Sequence, residues 1–208
     1  MASIFAIVCT ISLAFSIAKP QFYVTPGFTL EPTGATTSLL SPSGLYAFGF
    51  YPQSGGYGVG IYMAGLPERT VVWTASRDNL PFSDNATLRF TSDGRLAVEQ
   101  AQGQQINIFD AGGAYFATMQ DSRNFVLYDS IGTRVLWQTF EHPTNTLLAG
   151  QSLKPGQTLF SSVSETDQSI GVFRLDMQFD GILCYTRIEG KPQIKLTGIP
   201  KHLHPEPH

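Results

Sequence analysis

Residues 119–129 read M-Q-D-S-R-N-F-V-L-Y-D, and the fold turns on how this stretch is read. In an extended strand, side chains alternate between two faces. That alternation puts Gln120, Ser122, Asn124, Val126 and Tyr128 on one face, and Phe125 and Leu127 on the other. The second set is a core face. The first carries two amides, a hydroxyl, a small apolar side chain and a phenol. A sugar ring needs such a surface, with several fixed donors and acceptors for its hydroxyls and a small apolar patch for its C–H side. Alternation alone implies only a half-buried strand with a solvated polar face.

The same residues resemble the sugar-binding signature of the monocot bulb-type mannose-binding lectins, Gln-x-Asp-x-Asn-x-Val-x-Tyr. Gln120, Asn124, Val126 and Tyr128 match it, and Ser122 stands where that family has Asp. Asp121 is out of phase, points to the opposite face and is no substitute. The resemblance implies a carbohydrate site made of Gln120, Ser122, Asn124, Val126 and Tyr128, with mannose-type glycans or glycoproteins as partners and no cofactor.

The rest of the chain fits an all-β class. Its 208 residues allow one or two domains and a sizeable core. Apolar residues make up 42% and charged residues only 14%, with 20 Gly and 13 Pro punctuating many short apolar runs. Such a mix favours strands and turns over helices. The net charge of −3 leaves no basic excess for binding nucleic acid or an anionic membrane.

Residues 1–18 contain no charge, and Ile4 to Phe15 is almost wholly apolar. Ser16-Ile17-Ala18 then supplies the small residues a signal peptidase accepts, ahead of Lys19. The apolar run is shorter than the ~20 residues of a spanning helix, so a cleaved export signal is expected rather than a retained anchor. Secretion to the extracellular space follows, with membrane association only through a partner. Cys9 leaves with the signal, and Cys184 alone remains, which excludes an internal disulfide and a cysteine zinc site. Cys184 is expected to be buried.

In chain order, strands are expected at 38–51 (broken by a Pro-Ser-Gly turn), 57–63 and 70–75, with a turn at Gly65-Leu66-Pro67. Gly56, Gly58 and Gly60 alternate within a strand-like run with no helix pattern or P-loop lysine after them. Backbone crowding explains them better than a phosphate loop. Asn85-Ala86-Thr87 is a glycosylation sequon in a turn-like stretch. Short strands follow at 87–91, 95–100, 105–109, 115–119, 124–128 and 135–140, separated by Asp93-Gly94, Gly103 and Gly112-Gly113.

The central motif recurs. Thr91-x-Asp93-x-Arg95-x-Ala97-x-Glu99 lies 29 residues before it, and Gln178-x-Asp180-x-Ile182-x-Cys184-x-Thr186 lies 58 after, twice that step. No recognisable copy stands at the intermediate step near 151. Asp93 and Asp180 keep the acid but lose the Asn, and Glu99 and Thr186 replace the Tyr, so Asp93, Gln178 and Asp180 mark degenerate copies. The period resembles that of the β-prism II bulb-lectin fold. The resemblance implies three four-stranded antiparallel sheets about a pseudo-threefold axis, with Trp73 and Trp137 in the core.

A second resemblance lies downstream. Trp137-Gln138-Thr139-Phe140-Glu141-His142-Pro143-Thr144-Asn145-Thr146-Leu147-Leu148 is similar to the W-Q-S-F-D-x-P-T-D-T-L-L segment of plant S-domain receptor kinases, where it leads from a first lectin domain into a second. His142 then reads as a hydrogen-bonding linker residue. The implied organisation is a signal at 1–18, a bulb-type lectin domain at 19–150, an incomplete second copy at 151–196 and a polar tail at 197–208. The tail's three histidines read as part of a mobile polar segment, not a metal site. No kinase motif, Gly-x-Ser-x-Gly elbow or His-Glu-x-x-His is present, and Asp93 and Asp180 fall on equivalent strands of different copies rather than facing one another. A binding module is expected, not an enzyme. Two classes remain open: a secreted mannose-type lectin, or a protein-interaction module such as a soluble receptor or decoy in plant recognition or defence signalling. The second class would use a protein ligand or co-receptor. Phe173, Leu175 and Leu183 of the half-domain are expected to be uncovered and to favour a homodimer.

Overall fold

The computed structural model describes residues 23–66 and 69–188. The export segment 1–18, the cleavage position at Lys19, Pro67 of the expected turn and the tail 197–208 lie outside the described residues.

Three four-stranded antiparallel sheets enclose one core. Sheet I pairs β3 (Ser38–Leu40), β4 (Tyr46–Gln53), β5 (Gly56–Met63) and β6 (Val71–Thr74) in chain order. Sheet II joins β2 (Thr29–Leu30) to β7 (Thr87–Phe90), β8 (Leu96–Glu99) and β9 (Gln105–Phe109). Sheet III joins β1 (Tyr23–Val24) to β10 (Phe116–Met119), β11 (Phe125–Tyr128) and β12 (Val135–Gln138). This is the β-prism arrangement. The apolar residues spaced two apart face the core: Leu88 and Phe90, Leu96 and Val98, Phe125 and Leu127 all point inward and are at most 3% exposed. The inner faces of all three sheets meet in a single apolar cluster. At its centre Phe48 stacks on Phe125 at 3.7 Å, and Trp73 meets Trp137 edge-to-face at 5.9 Å. Both tryptophans are buried core residues, as expected.

A fourth, three-stranded sheet follows from β13 (Thr158–Ser164), β14 (Asp167–Met177) and β15 (Leu183–Arg187). Arg77 holds it to the prism and is the one buried charged residue among those described. Its guanidinium donates to the carbonyls of Gln168 (2.6 Å), Phe160 (2.8 Å), Ser161 (2.8 Å) and Ser169 (3.2 Å), and to Ser162 Oγ (3.2 Å). The sheet shows its apolar side chains unevenly. Leu183 and Tyr185 are exposed, while Phe173 and Leu175 are half-buried, with Phe173 stacked on Tyr185 at 5.4 Å. Cys184 is a free thiol and only half-buried, less enclosed than expected.

The alternating glycines of β5 are explained by crowding. A Cβ at Gly58 would strike the Tyr51 ring, and one at Gly60 would strike the Trp73 carbonyl. Tyr51 lies across them, buried, with Oη paired to Thr74 Oγ1 at 2.9 Å. Among the described residues no helix is long and apolar enough to cross a membrane.

Candidate functional site

Residues 119–129 are not one strand. They form a hairpin whose turn is Asp121-Ser122-Arg123, between β10 and β11. Gln120 N–H donates to Asn124 O (3.0 Å) and Arg123 N–H to Gln120 O (3.0 Å). The fourth position of this loop requires a left-handed backbone, and Arg123 adopts it at φ 72°. That conformation is unfavourable for a residue with a Cβ. Arg123 is held there by Nε donating to Tyr46 Oη (3.0 Å), with the guanidinium 5.1 Å above the Tyr46 ring.

The same five-residue loop recurs at both places where the motif recurs. Thr91 N–H donates to Arg95 O and Gly94 N–H to Thr91 O, while Gln178 N–H donates to Ile182 O and Gly181 N–H to Gln178 O. The left-handed position is Gly94 at φ 80° and Gly181 at φ 84°. Sheet I contains a further copy that sequence comparison missed: Gln53 faces Gly56 across a turn one residue shorter. Glycines and Tyr51 replace its polar side chains, so no motif remains to be found.

On the outer face of sheet III, Tyr23, Thr118, Val126 and Gln138 form one row and Phe116 and Tyr128 the next. Phe116 stacks on Tyr128 at 5.0 Å. Gln120 Nε2 donates to Tyr128 Oη (3.1 Å), and Ser122 Oγ donates to Gln120 Oε1 (3.1 Å). Since Gln120 and Tyr128 lie either side of the Thr118–Val126 row, their bond spans Val126, which is 1% exposed. Val126 was expected to be an open apolar patch, and it is buried. The hairpin thus gathers Gln120, Ser122 and Tyr128 above Val126, although the first two belong to a turn rather than to a strand face.

Asn124 is placed at the same site but serves the fold as well. Its Oδ1 accepts from Thr139 Oγ1 (3.1 Å) and Phe140 N–H (3.2 Å), and its Nδ2 donates to Gln138 Oε1 (2.7 Å). Gln138 Nε2 in turn donates to Glu141 Oε1 (3.2 Å). Gln138 and Glu141 were not singled out from sequence as site residues. Their only local signal was membership of the Trp137–Leu148 segment.

Asp121 points away from this face, as its phase implied. It accepts from Ser43 N–H (3.0 Å) and Ser43 Oγ, and these bonds hold its carboxyl below the usual carboxylate range. The degenerate copy around Asp93 is closed by its own partners. Asp93 accepts from Thr91 Oγ1 (2.6 Å) and pairs with Arg95 Nε (3.0 Å); the Thr91 bond is the main cause of its lowered pKa. Arg89 pairs with Glu99 at 3.0 Å, and Ala97, directly opposite Arg89, is fully buried. Asp180 and Gln178 are exposed on the fourth sheet, where Asp180 caps its own turn by accepting from Ile182 N–H (3.0 Å). His142 accepts at its carbonyl from Trp73 Nε1 (2.6 Å) and stacks on Trp137 at 5.2 Å, a linker role. Among the described residues there is no cluster of three or more metal-ligating side chains.

Residues 70–164 match the family model described as D-mannose binding lectin. Among curated proteins, the G-type lectin S-receptor-like serine/threonine-protein kinase LECRK1 of Oryza sativa subsp. indica is 35% identical over 183 residues, covering 82% of this chain and 22% of that protein. The G-type lectin S-receptor-like serine/threonine-protein kinase RLK1 of Arabidopsis thaliana is 33% identical over 164 residues, covering 74% and 20%. The chain therefore spans about a fifth of the length of the curated relatives it matches. Among solved structures, a monomeric monocot mannose-binding lectin from Gastrodia elata superposes with a TM-score of 0.41 at 23% identity, covering 56% of this chain and 94% of that one.

Proposed function

We propose, from the premise that this chain carries a bulb-type lectin domain related to receptor-kinase ectodomains, that the outer face of sheet III is a weak site for mannose-type glycans. One observation carries the reading: amide, hydroxyl and phenol groups of Gln120, Ser122 and Tyr128 are linked in one hydrogen-bonded chain over Val126. A sugar hydroxyl can replace each link, because every member both donates and accepts. Val126 then lies beneath the sugar's C–H face. The site acts by binding, with no group placed for catalysis and no cofactor. The protein acts outside the cell, after removal of residues 1–18.

The weakness has a physical cause. Hydrogen bonds to charged groups are worth roughly 1.5–3 kcal/mol and neutral ones about 1. A serine at 122 in place of an acid therefore costs roughly 1.4 kcal/mol, about tenfold in affinity. Ser122→Asp is expected to improve binding of a mannose oligosaccharide about tenfold by titration calorimetry. It does so by turning the Gln120 amide, so that Nε2 faces the new carboxylate and Oε1 accepts from Tyr128. Asn124→Ala is an unsuitable control because it strands Thr139 and the Phe140 amide. Tyr128→Phe removes only a hydroxyl and should abolish the gain. A folded Ser122→Asp chain that binds no better than its parent refutes the reading.

A specific observation favours a second reading, a protein-interaction module. Phe179, Tyr185 and Leu183 of the fourth sheet are 89%, 65% and 51% exposed, which suits a protein ligand, a co-receptor or a second copy of the chain. Loss of partner binding on Tyr185→Ser, with glycan binding unchanged, would support it.

A further inference from the structure

The hairpin that carries Gln120 and Ser122 is fastened to another sheet. Asp121 and Arg123 are out of phase with those two residues and reach sheet I instead: Asp121 meets Ser43 in the turn between β3 and β4, and Arg123 meets Tyr46 at the start of β4. The receiving turn is itself tightly closed. Ser41 N–H donates to Tyr46 O (2.8 Å) and Gly44 N–H to Ser41 O (2.9 Å). Ser41 is buried, and its Oγ lies 3.2 Å from Ser43 Oγ. The Ser43 N–H and hydroxyl therefore converge on one Asp121 oxygen, with the N–H at 3.0 Å. Tyr46 belongs to the common core, so its ring and Oη are fixed before Arg123 meets them. Ser122 stands between the two anchored residues, with its backbone held on both sides.

The turn does not need this fastening in order to form. Arg123 takes the left-handed conformation at φ 72°, which disfavours a residue with a Cβ, while the equivalent positions are Gly94 and Gly181. Those two loops make the same pair of backbone hydrogen bonds with no side chain at that position. The strained arginine stands only in the hairpin whose outer face keeps its amide and phenol groups. A turn at the end of a sheet is otherwise its most mobile part. Ordering a loose turn when ligand arrives is subtracted from affinity, so a site with few polar contacts depends on groups already in place. Gln120 and Ser122 supply two members of the hydrogen-bonded chain over Val126, and both lie outside the strands.

We propose that Arg123 and Asp121 are positioning residues for the sheet III site: fastened to Tyr46 and Ser43, they hold Gln120 and Ser122 in the geometry that a glycan meets. The choice of glycan as ligand rests on the lectin reading above, while the fastening is independent of it.

The test compares order, stability and affinity in two variants of the full chain. Arg123→Gly removes the tie and suits the backbone, so its melting temperature should stay within about 3 °C of the parent. Tyr46→Phe removes only Oη, in a different sheet from the binding face, and leaves the ring beneath the guanidinium. In the ligand-free Arg123→Gly chain, backbone order parameters at Gln120 and Ser122 should fall from about 0.85 toward about 0.6, with a smaller fall in Tyr46→Phe. In a Ser122→Asp background, Arg123→Gly should weaken mannose-oligosaccharide binding about fivefold by calorimetry, and Tyr46→Phe about twofold. The two combined should match Arg123→Gly alone, because both act through one contact. Asp121→Ala should add a separate loss, since its tie to Ser43 remains in both. Unchanged order parameters in Arg123→Gly overturn the proposal, as does a fall in affinity matched by a fall in melting temperature beyond that range, the mark of a merely structural role. Undiminished affinity in Arg123→Gly, while the Ser122→Asp chain still binds, overturns it and spares the sheet III site. If the Ser122→Asp chain binds no glycan, the lectin reading falls, and the order parameters alone decide whether Gln120 and Ser122 are positioned by these ties.

Discussion

Replacing Arg77 by Met keeps the aliphatic stem and removes the guanidinium that joins the prism to the fourth sheet. Burial lowers the pKa of Arg77 below its usual value, and the neighbouring Tyr51, Asp78 and Asp167 oppose that shift. Of its five bonds, three are 2.8 Å or shorter. Charge-assisted bonds contribute roughly 1.5–3 kcal/mol each, but bonds from one group are not additive. The acceptor carbonyls border a water-accessible cleft and can rehydrate. Counting two full bonds at the lower value gives about 3 kcal/mol, or about two decades in an opening equilibrium. Hydrogen exchange on the full chain reads this directly. In Arg77→Met, amides of β13 and β14 should lose about a hundredfold in protection, while those of β7, β8 and β11 keep theirs. Ser54, whose N–H bonds Thr166, should follow the hairpin. Unchanged protection in β13 and β14 would mean that Arg77 does not hold the hairpin. An equal loss in all strands would mean that residues 151–188 unfold with the prism as one unit, which would refute the proposal that 151–196 is a separate, incomplete second domain.

Asn85 is exposed in the turn before β7, so a chain secreted from plant cells should lose one N-glycan mass on glycosidase treatment and begin near Lys19; an unmodified Asn85 with an intact leader would overturn the secretory proposal. Burial lowers the pKa of His142, against the opposing pull of Glu141, and Lys154 adds to the lowering. The unfolded chain therefore binds the proton more readily, so stability is complete above about pH 6.5 and falls as pH drops through the folded-state pKa. Urea midpoints should decline below about pH 6.5 in the parent but hold level down to about pH 5 in His142→Phe. Asp93 and Asp121, whose pKa values are lowered, add a separate loss below about pH 3.8 in both chains.

The all-β class, the strand order along the chain and the inward residues of sheets II and III were legible because period-two alternation and Gly-centred turns are local signals. Residues 119–129 show where that reasoning stops. Alternation across Gln120, Ser122 and Asn124 survives in the sequence although the chain reverses there, because the turn's left-handed residue is Arg123 and not the glycine that would have announced it. The equivalent turns at Gly94 and Gly181 carry that glycine, and the repeat therefore contained the correction. Burial of Val126 was not legible, since it depends on how the hairpin's side chains meet in space and not on alternation. Arg77 gave no signal at all. It is recognised only by carbonyls more than eighty residues away.

The division between inner and outer faces also explains how four copies of one hairpin came to differ. The inner residues and the left-handed loop position specify the turn and the core, and both are met in every full sheet whatever stands outside. The outer face is therefore free to change without cost to folding. Sheet II has filled it with the Arg89–Glu99 and Arg95–Asp93 pairs, and sheet I with Tyr51 lying on Gly58 and Gly60. Only sheet III retains amide and phenol groups over a small apolar residue. Sharing the fold therefore does not carry the binding with it, and under the proposed function a glycan contact confined to one weakened face would give low affinity per chain. Strong retention on a glycan-coated surface would then require several linked copies of the chain.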